Sequence, residues 1–165
     1  MGSLREKQLE TDVLIVGAGG AGLRAAIEVK NRGLNPLVVS KGKFPGGCVT
    51  AIAMGAMLDP IHKEDSVQLH YEETLRGGDY LNNPKLVHIL VNQASARAKD
   101  IDRYGTDFDR EGQEYKLFPF TGSSVPRGVL AKDPYRGGFI RGLVKEVERL
   151  GIKIMDQVMV ASLMK

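Results

Sequence analysis

Six residues, Gly17-Ala18-Gly19-Gly20-Ala21-Gly22, constrain this chain more than any others, because they stand between a strand signal and a helix signal. Upstream, Thr11-Asp12-Val13-Leu14-Ile15-Val16 is a short apolar run rich in β-branched residues, the pattern of a buried parallel strand. Downstream, Leu23, Ala26, Ile27 and Val29 recur at helical spacing within Ala21 to Arg32, and Gly33 stands where a helix C-terminal glycine is expected. Pro36-Leu37-Val38-Val39-Ser40 then reads as a second strand. Strand, helix and strand within about 30 residues form a βαβ unit, which predicts a parallel sheet with helices on both faces.

In that context the glycines match G-x-G-x-x-G, straight after a strand and opening a helix, and point to a dinucleotide. Gly17 permits the tight turn, Gly19 lets the backbone approach a pyrophosphate, and Gly22 allows close packing of helix on strand. The helix N-terminus, at Gly20 and Ala21, offers N–H groups to the negative charge. A plain glycine turn is the bland alternative, and the flanking elements weigh against it. The end of the second strand should carry an acidic residue for the ribose hydroxyls, about 20 residues beyond the glycines. Ser40 and Lys41 stand there instead, which argues against a common NAD reader. Three readings stay open on these residues: Lys41 and Lys43 meet an extra phosphate, as in an NADP site; Ser40 bonds the ribose while Lys41 packs near the adenine end; or the lysines are solvated.

The remaining chain continues the α/β pattern. A glycine-rich loop, Lys41 to Cys48, runs into Thr50 to Met57, a small apolar stretch expected to be buried or to lie under a ligand. Asp65 to Leu75 reads as an amphipathic helix with Val67, Leu69, Tyr71 and Leu75 partly on one side. Asn83-Pro84 opens a longer helix in which Val87, Leu90, Val91, Ala94, Ala98 and Ile101 repeat at three and four, closing at Tyr104-Gly105. Asp107-Phe108-Asp109 and Glu114 to Leu117 flank Glu111-Gly112, a hairpin signal and a small excursion from the main sheet. After an irregular stretch, Gly138 to Leu150 gives a helix, Ile152-Lys153-Ile154 a third parallel strand, and Val158 to Met164 the start of another.

Composition removes several function classes. The 23 basic and 20 acidic side chains are interspersed and leave a net charge of +3, too mild and scattered for a nucleic-acid footprint. One cysteine, Cys48, cannot form an internal disulfide, and His62, His70 and His88 lack metal-ligand spacing, so no metal is expected. Cys48 reads as a small buried hydrophobe and the histidines as surface or structural residues. No apolar run is long enough to span a membrane and no secretion signal opens the chain, which gives the expectation of a soluble, cytoplasmic protein.

The run Asp12 to Ala26 with Ser40-Lys41 resembles the FAD-binding start of the flavoproteins of fumarate reductase and succinate dehydrogenase, whose family includes aspartate oxidase and adenylylsulfate reductase. Gly78-Asp79-Tyr80-Leu81, the helix to Tyr104-Gly105, Phe108, Pro119-Phe120-Thr121-Gly122 and Asp133 to Leu143 resemble the same family in the same order. The resemblance implies a partial Rossmann-like FAD-binding domain, with FAD contacts at Gly17, Gly19, Gly20, Ala21, Ser40, Lys41, Gly47, Cys48, Thr50 and Gly55, and with Val158 and Val160 near the adenine. Where such succinate dehydrogenases place Ser-His-Thr, with the histidine bonded to the flavin, this chain has Cys48-Val49-Thr50, so the flavin is expected to be noncovalent. Where they place Gln-Gly-Gly beside the flavin ring, it has Met54-Gly55-Ala56, which weakens the case for a dicarboxylate substrate. Phe120 keeps an aromatic that packs near the substrate in the family.

The function implied is hydride transfer between a carboxylate substrate and FAD, and the partner implied is an iron–sulfur or other electron-transfer subunit. The protein would be cytoplasmic, or peripheral on the inner face of a membrane within a complex. Substrate-binding arginine, histidine and Thr-Glu residues of the family have no counterpart in this chain, so residues 1–165 are expected to be the N-terminal part of a FAD-binding domain without its capping domain or C-terminal part, and inactive alone. The rivals are a non-catalytic dinucleotide-binding module and, within the family, an aspartate oxidase or adenylylsulfate reductase.

Overall fold

The βαβ unit forms as its periodicity dictates. In the computed structural model, which describes residues 8–53, 56–133, 138 and 140–164, the chain opens with β1 (Val13–Val16), α1 (Gly20–Asn31) and β2 (Pro36–Val39). Next come α2 (Val49–Ile52), β3 (Ala56–Leu58), α3 (Val67–Gly77) and α4 (Pro84–Arg103). Four short strands follow, β4 (Arg110–Glu111), β5 (Glu114–Tyr115), β6 (Leu117–Phe118) and β7 (Gly128–Leu130), then α5 (Ile140–Arg149) and β8 (Lys153–Met155). These elements divide into two units, residues 1–48 with 146–165, and residues 49–145. No helix among the described residues is long and apolar enough to cross a membrane.

In the first unit β2 lies between β1 and β8, and all pairing is parallel, with Val13 opposite Pro36 and Leu37 opposite Lys153. All four residues of β2 are buried, as a central parallel strand demands. Helix α1 packs on β1 and β2 through Leu23, Ala26 and Ile27. Gly33, at a φ of +80°, lets the chain turn back after the helix into β2. Val158 to Met164, expected to begin another strand, forms none among the described residues. A backbone bond ties its start to the sheet end, from the Val158 N–H to the Ser40 carbonyl at 2.9 Å.

The second unit is built around α4, which begins where Asn83 caps it, its side chain accepting from the Lys85 N–H at 3.0 Å. Val87, Val91, Ala94, Ala98 and Ile101 are buried as the spacing predicts, but Leu90 is exposed. A small antiparallel sheet places β7 between β3 and β6, and Phe108 bridges to Ala131 beside it. The hairpin is the pair β4 and β5, tighter than expected, with Gly112 at a φ of +65° in the turn. Ile52, expected to be buried or to lie under a ligand, is 83% exposed, because α2 is a single turn too short to bury a face.

Helix α3 departs most from its pattern. Ser66 caps it, accepting from the Leu69 N–H at 3.0 Å, but its buried residues are His70 and Glu73, and Val67 is exposed. The cause is Arg127, 1% exposed, whose guanidinium donates to both oxygens of Asp65 at 2.9 and 3.0 Å and pairs with Glu73 at 2.8 Å. Burying a guanidinium requires paired, hydrogen-bonded carboxylates, so the inward face of α3 is set by charge rather than by hydropathy. Burial pushes the Glu73 carboxyl up, but the Ser124 hydrogen bonds and the charges of Arg127 and Arg76 outweigh it and hold the group below the usual carboxylate range.

Burial, reinforced by the Arg127 charge, pushes the His70 imidazole below its ordinary value against the pull of Asp65 and Glu73. The folded chain therefore binds fewer protons at His70 than the unfolded chain does, so this contribution is complete above an unfolded pKa of about 6.5 and is lost as pH falls below it. Urea unfolding of the native chain and of His70→Gln across pH 8 to 5 checks this. The stability of the native chain relative to the variant is expected to fall with acidification, and a difference that stays flat or rises refutes the assignment.

Candidate functional site

Three strand ends meet in the first unit, because β1, β2 and β8 run parallel and finish at one edge of the sheet. Ligands of open α/β sheets bind outside the carboxyl ends of the strands, and this edge is where the glycine turn lies. Gly17 follows β1 at a φ of +108°, a conformation that favours glycine, and its N–H donates to the Val39 carbonyl at 2.7 Å. A Cβ on Gly22 would lie 1.9 Å from the Gly17 carbonyl oxygen, so any side chain there would drive the helix off the strand.

Gly19 is the N-cap of α1, in extended backbone and without a side-chain cap. The first bond within the helix runs from the Leu23 N–H to the Gly19 carbonyl at 2.9 Å. The N–H groups of Ala21 and Gly22 precede it and have no acceptor inside the helix. No acidic residue stands in the first turn, so the positive end of the helix dipole is left for an external anion.

Ser40 ends β2 and is held on both sides by its backbone. Its N–H donates to the Met155 carbonyl and its own carbonyl accepts from Val158, each at 2.9 Å. Lys41 is exposed and Lys43 with it, and Val158 and Val160 are half-buried on the segment leaving β8. The loop between Lys41 and Cys48 folds on itself, since a Cβ on Gly42 would lie 3.1 Å from the Gly47 carbonyl oxygen. Asp156 pins that loop, accepting from the Phe44 N–H at 3.0 Å across 112 positions of sequence. Cys48 is a half-buried free thiol. Sequence reasoning missed Asp156, because one carboxylate accepting one backbone N–H leaves no pattern in composition or spacing.

The predicted residues thus separate into groups. Gly17, Gly19, Gly20, Ala21, Gly22, Ser40, Lys41, Gly47, Cys48, Val158 and Val160 all belong to the first unit. Thr50 lies on α2 in the second unit, and Gly55, with Met54, falls outside the described residues. Phe120 is half-buried in the second unit, where Gly128 makes room for its ring: a Cβ there would lie 2.3 Å from the Phe120 Cε2.

A pyrophosphate fits the first unit's edge on chemistry: backbone donors at a glycine-lined helix start, no carboxylate in the first turn to repel it, and a hydroxyl and an ammonium at the next strand end. The family model described as "FAD binding domain" matches residues 12–165. The chain belongs to that family. FAD is its cofactor, which sets aside the NADP reading of Lys41 and Lys43. It is 45% identical, over 94% of its length, to the flavoprotein of a CoM/CoB fumarate reductase from Methanothermobacter marburgensis, and covers 29% of that protein. It is 32% identical, over 92% of its length, to the L-aspartate oxidase of Synechocystis, covering 27% of it. Among solved structures, the "Mycobacterium smegmatis Sdh1 complex in the apo form" matches 89% of this chain with a TM-score of 0.80 at 32% identity, over 27% of that chain. The chain is therefore the FAD-binding part of a flavoprotein of the fumarate reductase and succinate dehydrogenase type, and spans less than a third of the length of these relatives.

The Gly22 contact generates a test. Gly22→Ala is expected to destabilise the chain at the upper end of about 1–3 kcal/mol, since the clash is with backbone that cannot rotate away. Urea unfolding measures the loss, and a variant as stable as the native chain would show that α1 does not sit this close to β1.

Proposed function

We propose that residues 1–165 form the N-terminal part of the FAD-binding domain of a fumarate reductase, in which electrons pass through the flavin to a dicarboxylate. The observation that carries this reading is the 45% identity to a fumarate reductase over 94% of the chain, against 32% to an aspartate oxidase over 92%. FAD, when bound, supplies the hydride for reduction of a carbon–carbon double bond next to a carboxylate. This chain's residues bind and orient. The N–H groups of the first turn of α1, after Gly17 and Gly19, receive the pyrophosphate. The Ser40 hydroxyl takes a ribose oxygen, and Lys41, Val158 and Val160 take the adenosine end. The loop that Asp156 pins brings Gly47 and Cys48 toward the flavin.

The resemblance, rather than the geometry, supplies Thr50, Gly55 and Phe120 as groups near the flavin ring and the substrate. It also supplies the partner, an iron–sulfur or other electron-transfer subunit. With Val49 where the family places its flavin-bonding histidine, the cofactor is held without a covalent link.

Two measurements test the reading. Acid precipitation of the purified flavoprotein is expected to release all flavin, as FAD, into the filtrate. Flavin that stays with the pellet would overturn the noncovalent assignment and point to Cys48. In the protein taken over the length of its relatives, fumarate is expected to reoxidise the dithionite-reduced flavin under anaerobic conditions. Bleaching of the oxidised flavin by L-aspartate, with no response to fumarate, would assign the chain to the oxidase instead.

A further inference from the structure

A cavity of about 420 Å3 lies within the second unit, bordered by β3, α3 and α4, and no residue assigned to the flavin lines it. Its wall is apolar at Leu58, Ile89 and Leu90 and polar at His70, Thr74 and Arg97. His70 is 2% exposed, and neither of its ring nitrogens has a hydrogen-bond partner among the described residues. Its polar neighbours on the wall are engaged. The Thr74 hydroxyl donates to the His70 carbonyl at 2.7 Å, and the Arg97 guanidinium pairs with Asp100 at 3.0 Å.

A buried imidazole without a partner is costly in a native structure and calls for an explanation. A neutral imidazole presents one N–H donor and one bare nitrogen acceptor, and a hydroxyl serves either, donating to the bare nitrogen or accepting from the protonated one. A carboxylate would have to leave water for an apolar wall whose guanidinium is already paired, and a cation would face that same guanidinium. The volume falls within the range of about 300–1,000 Å3 of small-molecule sites, which are apolar with a few placed polar groups.

We propose that this cavity is a binding site for a neutral, ring-sized molecule carrying one hydroxyl, its ring against Leu58, Ile89 and Leu90 and its hydroxyl on the His70 imidazole. The inference stands apart from the flavin reading.

Titration of the full chain with 2-naphthol and with naphthalene tests it, followed by the imidazole nitrogen resonances of His70. The native chain is expected to bind 2-naphthol about tenfold more tightly than naphthalene, the effect of roughly one hydrogen bond, and the His70 resonances are expected to move on saturation. Leu90→Trp, a change at an exposed position on the wall, is expected to abolish binding of both probes. His70→Phe is expected to keep naphthalene and lose the preference for naphthol. Equal affinity for the two probes in the native chain, unmoved His70 resonances, unchanged binding by Leu90→Trp, or no binding of either probe would each overturn the proposal. If His70→Phe fails to fold, the native resonances and Leu90→Trp still decide it.

Discussion

The approach of α1 to β1 at Gly22 fixes the geometry on which the cofactor site depends. With no side chain between them, the first turn of the helix comes against the Gly17 carbonyl, and the helix N-terminus opens just beyond the strand end. The neighbouring strand ends are then locked in sequence by the main chain. Gly17 donates to Val39, Ser40 donates to Met155, and Val158 donates back to Ser40. The cradle for a pyrophosphate is in this sense a property of the backbone. Side chains enter at its rim, through Ser40 and Lys41, and below it, where Asp156 holds the following loop.

The second unit rests on the opposite principle, a buried charge. Arg127 is as deeply buried as any apolar residue of the core, and it stays charged because Asp65 and Glu73 surround it. Removing one partner from such a cluster leaves an uncompensated ion in a dry interior, a change that costs about 3–5 kcal/mol in comparable cases. The same cluster accounts for His70, which lies close enough to Arg127 for the guanidinium to oppose its protonation. Polar groups therefore take inward positions in this unit that hydropathy alone would fill with α3's valine, leucine and tyrosine.

This contrast explains what can be read from the sequence. The parallel strands and α1, α4 and α5 follow from periods of apolar residues punctuated by Gly33, Asn83-Pro84 and Gly151, since each element buries one consistent stripe or surface. The glycine turn is legible because its function depends on missing side chains, and missing side chains leave a visible signature. Strands β3, β6 and β7 are not legible, as two or three residues cannot display a period, and their pairing joins positions as distant as Ala56 and Leu130. The buried face of α3 escapes a local reading for a related reason. Its partner Arg127 lies 62 positions from Asp65, and no local window contains both.

Cofactor and fold are tied together at the edge of the first unit's sheet. Among the described residues β1 pairs with β2 alone, and its Leu14 and Val16 are 46% and 63% exposed, whereas parallel strands are ordinarily covered on both faces. The strand that carries the glycine turn is thus the least protected strand of its sheet, and an apolar edge of this kind is a liability for self-association. A ligand that binds the folded form alone stabilises it in proportion to the logarithm of its free concentration over Kd. FAD held at the end of β1 acts at the point where the sheet is weakest, so occupancy of the site and integrity of the β1 edge are coupled, and loss of one weakens the other.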